Sequence, residues 1–297
     1  MPDAVHLRTA LGNYPHTRRL KDGEITSPLV TLDFTEIVPI HNAFSPMVRH
    51  QSFDLSEMAV VTGIQAVAFG KPIALLPAVV ASRMQRGCLI ARSSDGPVDP
   101  RSLRGKRIGV RAFTQTTGMW VRAALWEDYR LAADDVQWVT HDGPHVEEYR
   151  DPACEVREHL GKSLPEQLRD GDIDAAVLGN DLPKGDEFTP VMKDHRATDE
   201  AWVARHGFVP INHLVAVSRD VLESHPEAVR AAYDILRQSA REAVRPAGAV
   251  DPTRFGIEAL RLPMTFILAA CRRQRLIEEL SVDDLFAPVS GLLAADR

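Results

Sequence analysis

Short apolar runs recur along the 297-residue chain, with helix-length intervals between them. The runs at Leu7 to Tyr14, Val30 to Val38, Phe53 to Val61, Pro72 to Val80 and Gly87 to Ser93 predict strands, since a strand covered on both faces reads as a continuous apolar run. Thr17 to Asp22 falls in a helix-length interval between the first two. Further strands are predicted at Lys106 to Ala112, at Ile173 to Leu178 and within His206 to Val221, and helices at Met119 to Tyr129 and over a stretch stopped near Gly171. The clearest helix follows Ser224: Ser224 and Glu227 match a capping box, Pro226 sits in the first turn, and Val229, Ala232, Tyr233, Leu236, Ala240 and Val244 mark one apolar stripe. Asp142 to Lys162 reads as irregular surface with a helical piece, and the residues from Ala247 onward as a helical tail.

Strands alternating with helices favour an α/β fold with sheets covered on both faces. A chain of this length can bury two modest cores, and the Asp-, Gly- and Pro-rich stretch from Ser94 to Leu103 reads as a crossover between them. Composition changes this picture little: 44% hydrophobic and 26% charged residues is an ordinary globular balance. A net charge of -6 speaks against nucleic acid or an anionic membrane as partner. Arg272, Arg273 and Arg275 are followed by Glu278 and Glu279, the pattern of a solvated helix face. No run of about 18 apolar residues predicts a membrane span, and the opening residues carry no export signal, so a cytoplasmic location is expected. Cys88, Cys154 and Cys271 are odd in number and far apart, as reduced thiols are rather than a disulfide framework or a structural zinc site.

Two phrases, SLRGKRIGV at Ser102 to Val110 and LRDGDIDAAVLG at Leu168 to Gly179, resemble phrases of type II periplasmic-binding folds in their order and spacing. YPHTRRLKDG (Tyr14 to Gly23), HQSFDLSEM (His50 to Met58), SRMQRGCLI (Ser82 to Ile90) and HGFVPINHLVAVSRDV (His206 to Val221) then resemble the 4,5-dihydroxyphthalate decarboxylase family. The resemblance implies a two-lobed type II periplasmic-binding-protein-like fold, each lobe a mostly parallel sheet flanked by helices, with two crossovers between lobes. The implied lobes are 1–95 with 208–297, and 96–207. It also implies an intracellular carboxy-lyase that binds a small aromatic or cyclic carboxylate in the inter-lobe cleft. The chain departs from the family where Gln85 replaces an aromatic residue and Gly87 a histidine. Two other classes share the fold: solute-binding proteins of transport systems, and cytosolic dehydratases or synthases such as those of menaquinone or thiamine-pyrimidine synthesis.

Such a decarboxylase must hold anions and deliver a proton to the carbon that loses carbon dioxide. The resemblance puts His213 first as the proton donor, or as holder of a ring hydroxyl, with Glu57 second if burial raises its pKa. Ser56 is placed to bind a hydroxyl, and His16 and His41 to reach the cleft from its rim. Arg18, Arg83 and Arg86 are the candidate carboxylate grips, with a surface arginine as the alternative reading of each. Thr114, Thr116 and Thr117 precede or open a helix, where they serve an anion or simply cap, and Trp120 stacks on a ring or fills the core. No cofactor is expected; His141, Asp142 and His145 lie in a turn that leaves a divalent metal open, and a homo-oligomer is equally open.

Overall fold

A computed structural model describes residues 3–158, 161–179, 182–245 and 251–293. The chain divides into two compact units, residues 1–82 with 211–269 and 277–297, and residues 83–210 with 270–276.

The first unit contains β1 (Val5–Ala10), α1 (Pro15–Lys21), β2 (Val30–Phe34), α2 (Phe44–His50), β3 (Leu55–Ala59), α3 (Val60–Ala68) and β4 (Ile73–Ser82). In the second unit follow β5 (Leu89–Arg92), β6 (Arg107–Val110), α4 (Thr116–Tyr129), β7 (Gln137–Thr140), β8 (Glu155–Arg157), α5 (Leu164–Asp170), β9 (Ala175–Val177), β10 (Phe188–Pro190) and α6 (His195–His206). The chain returns to the first unit through β11 (Ile211–Ser218), α7 (Arg219–Ser224), α8 (Pro226–Glu242), β12 (Arg254–Phe255), α9 (Ile257–Arg273) and α10 (Val282–Ser290), with the last turn of α9 counted in the second unit.

Among the described residues each unit has one six-stranded sheet, in the order β12-β4-β11-β3-β1-β2 and β10-β5-β9-β6-β7-β8. Both sheets are mixed, with most strands running in one direction: β1 to β4 in the first and β6 to β10 in the second. In the first, β1 runs parallel to β2 and β3, while β11 is antiparallel to β3 and β4 between which it lies. The order places the carboxyl ends of β1 to β4 and the beginning of β11 on one edge, where open α/β sheets bind ligands. Leu7, Leu55, Met58, Val79 and Leu214 are buried in that sheet's core. In the second unit Ile90, Val139, Leu164, Leu168, Ile173, Ala176 and Leu178 pack together.

Several elements differ from the sequence expectation for local reasons. The first strand stops at Ala10, because Gly12 and Pro15 turn the chain into α1. The third gives way at Val60 to a helix as apolar as the strand before it, and apolar content alone does not distinguish the two. β5 pairs with β9 and β10, so the first unit ends at Ser82 rather than at 95. Ser224 caps nothing in α8: it ends α7, its hydroxyl donates back to the Asp220 carbonyl in the first turn of that helix, and His225 is the N-cap of α8. Val244 lies beyond α8 and is exposed. The described part of 142–162 contains β8 and no helix, and residues 247–250 of the expected tail lie outside the described residues. No helix among the described residues is long and apolar enough to cross a membrane.

Candidate functional site

The turn from β1 into α1 is fastened at several points. Thr17 caps the helix, its Oγ1 accepting from the Tyr14 amide at 3.0 Å and donating to the Gly12 carbonyl at 2.8 Å. Lys21 reaches back to the Leu11 carbonyl at 2.6 Å and to Asn13 Oδ1 at 2.7 Å. The phenol of Tyr14 folds over Gly12 so closely that a Cβ there would lie 2.6 Å from the ring. The ring also stacks on His16, with centroids 5.1 Å apart and planes 6° from parallel.

This turn presents two donors to one carboxylate. Tyr14 Oη donates to Glu57 Oε1 at 2.7 Å, and the Gly12 amide donates to Oε2 at 2.8 Å. Glu57 stands in β3 opposite Val215 of β11, and His213, two residues before Val215, is its diagonal cross-strand neighbour. The register of β11 against β4 is irregular from Ile211 to Val215, a distortion of the kind that re-aims side chains. His213 Nδ1 meets Glu57 Oε1 at 2.5 Å, while the edge of Phe44 packs on the imidazole at 5.1 Å.

Glu57 is completely buried, whereas the His213 side chain is 20% exposed. Burial pushes the carboxyl pKa upward, but the hydrogen bond and charge of His213, with the donors Tyr14 and Gly12, outweigh it and hold the group below the usual carboxylate range. Glu57 is therefore an ionised acceptor, not the neutral acid expected from the sequence. An acceptor there assigns the Nδ1 proton to His213 and leaves Nε2 as the atom for chemistry. Burial, then the charge of Glu57, raises the Tyr14 pKa and keeps the phenol a donor.

The other candidates of this unit have different places. His16 is buried, donating from Nε2 to the Val80 carbonyl at 2.8 Å, and burial lowers its pKa. Ser56 is buried with its hydroxyl donated to the Glu57 carbonyl at 2.8 Å, so it is used within the strand. Arg18 points outward, 79% exposed and paired with Asp22 one turn on. His41 is half-buried on a short 3-10 turn, Ile40–Ala43.

In the second unit Arg83 donates to Thr117 Oγ1 at 3.1 Å, at the first turn of α4, and contacts Cys88 Sγ at 3.0 Å. No carboxylate pairs with it among the described residues. Arg86 is committed elsewhere: it donates to both oxygens of Asp128 at 2.8 and 3.2 Å and to Asp199 Oδ1 at 2.8 Å. It is thus a structural cation rather than a grip. Thr114, Thr116 and Thr117 are buried, and the N-cap of α4 is Gln115, which makes no side-chain capping bond. Trp120 is buried edge-on against Trp202 at 5.9 Å and near Phe208, in the core rather than on a binding face. His141 Nε2 accepts from Gln167 at 2.9 Å, and among the described residues no three His, Cys, Asp or Glu side chains gather as metal ligands.

The chain is 28% identical over 239 residues to a 4,5-dihydroxyphthalate decarboxylase of Comamonas testosteroni, an alignment covering 75% of this chain and 71% of that protein. It is 31% identical over 140 residues to one of Pseudomonas putida, covering 46% of this chain and 52% of that protein. Among solved structures it is similar to the periplasmic sulfonate-binding protein SsuA from Methylobacillus flagellatus KT, with a TM-score of 0.55, 11% identity and coverage of 99% and 96%. It is also similar to the desulfurization enzyme DSZB, with a TM-score of 0.53, 15% identity and full coverage of both chains. No family model matches the chain. The structures show the fold, that of periplasmic-binding proteins; because a binding protein and an enzyme share it, the fold alone does not choose a function.

Proposed function

We propose that this chain is a carboxy-lyase that removes carbon dioxide from a hydroxylated, phthalate-type aromatic or related cyclic carboxylate, such as 4,5-dihydroxyphthalate, to leave protocatechuate. The relatives' shared name supports the reaction class. One observation carries the reading to residues: a buried, ionised Glu57 bonded to His213, whose side chain is 20% exposed. When the bond to the carboxylate breaks, its electron pair stays on the ring carbon. A proton on His213 Nε2 moves to that carbon as carbon dioxide leaves, forming the new C–H bond, and solvent returns a proton to the imidazole. Glu57 fixes the tautomer and stabilises the imidazolium. Arg83, aligned by Thr117, has a guanidinium that suits a carboxylate, the grip that the family resemblance implies for it.

Purified protein incubated with a panel of aromatic mono- and dicarboxylic acids is expected to release carbon dioxide, with products lighter by that unit in mass spectra. Arg83→Ala is expected to raise KM. Tight binding without turnover would make the chain a solute-binding protein, and loss of water instead of carbon dioxide would make it a different enzyme.

A further inference from the structure

We infer that Tyr14 is a positioning residue: its hydroxyl keeps Glu57 ionised and aligned, so that His213 holds its proton on Nδ1 and keeps Nε2 for exchange. This deepens the decarboxylase reading, and its activity readouts rest on that reading. Oε1 of Glu57 takes two donors, Tyr14 Oη at 2.7 Å and His213 Nδ1 at 2.5 Å, while Oε2 takes the Gly12 amide. A carboxylate buried with too few donors takes up a proton, and a protonated Oε1 no longer accepts from Nδ1.

The hydroxyl is held in place by more than packing. The ring packs on Gly12 and stacks on His16, and the Thr17 cap fixes the backbone of the turn. A phenylalanine would fill the same space, so the oxygen atom is the part that serves Glu57. The titratable groups near the carboxylate are His213 on β11, Tyr14 on the turn, and His16 and Lys21 on α1. His41 lies on the 3-10 turn packed against β3; Arg49 and His50 of α2 are exposed, and α3 carries no titratable side chain.

Tyr14→Phe tests this while keeping the ring. We expect kcat to fall roughly ten- to hundredfold, the value of one charge-assisted hydrogen bond, with KM nearly constant. The acid limb of the kcat profile should move to higher pH, because the carboxylate has lost a donor. In protein labelled with 15N-histidine, the low-field Nδ1 proton of His213 should shift or broaden. Placing 3,5-difluorotyrosine at position 14, a stronger donor, should move the limb the other way, and it decides the matter if Tyr14→Phe fails to fold. Unchanged kcat, limb and resonance would overturn the inference. If the chain decarboxylates none of the acids, the resonance alone decides: a shift sustains Tyr14 as positioning residue while the decarboxylase reading falls, and no shift removes both.

Discussion

Glu57 in the first unit and Arg86 in the second are both buried charges held by ion pairs, and both were candidates for chemistry on sequence grounds. They end differently. Arg86 is 4% exposed and spends its guanidinium on Asp128 and Asp199. Glu57 also has both oxygens hydrogen-bonded, but one of its partners, His213, is itself a titratable group one-fifth exposed to solvent. A closed ion-pair cluster orders a fold; the same cluster ending in a partly exposed imidazole can pass a proton on.

The largest effect that tests this contrast is His213→Gln, expected to lower kcat by about 10²- to 10⁴-fold, the usual worth of a general acid. Steady-state kinetics on substrate identified in the carbon dioxide assay measures it, and a change within threefold would end the special status of the first cluster. Next comes Arg86→Ala. It leaves Asp199 buried and Asp128 partly buried without their cation, which should cost about 3–5 kcal/mol in urea unfolding. Turnover per folded molecule should be nearly unaffected, and a kcat loss matching that of His213→Gln would make the two clusters alike.

What was legible in the sequence follows the same divide. The apolar runs located most strands, because burial of β3 and β4 leaves a continuous signature. Glu57 and His213 could each be singled out, but not paired: they lie 156 residues apart and meet only because β11 inserts antiparallel between β3 and β4. Arg18 stands out from Tyr14 in the same phrase because it carries a charge, although a glycine and a Tyr-Pro step ahead of a helix mark the turn. Nothing near Arg86 in sequence announces Asp128 or Asp199. Gly87 read as the loss of a family histidine; in the structure a Cβ there would lie 2.8 Å from the ring of His195, so an imidazole from α6 stands against that position.

The smallest effect is also the most local. His16, stacked on Tyr14, has its pKa lowered by burial, so the folded first unit favours the neutral ring. Its contribution to stability is whole above the unfolded histidine value of about 6.5 and is lost as pH falls from there through the depressed folded value. Asp199 has the opposite sign: burial outweighs the ion pair with Arg86 and raises its pKa, so the folded second unit takes up a proton more readily and gains stability as pH falls through that raised value towards about 3.9. Acidification below neutrality should therefore lower protection of β1 and α1 against hydrogen exchange, corrected for intrinsic rates, before it lowers that of α6. His16→Gln, whose amide can still donate to the Val80 carbonyl, should flatten the first response and leave the second unchanged. Equal slopes in the two units, or a slope in β1 that survives His16→Gln, would show that the contrast between the clusters does not extend to their response to acid.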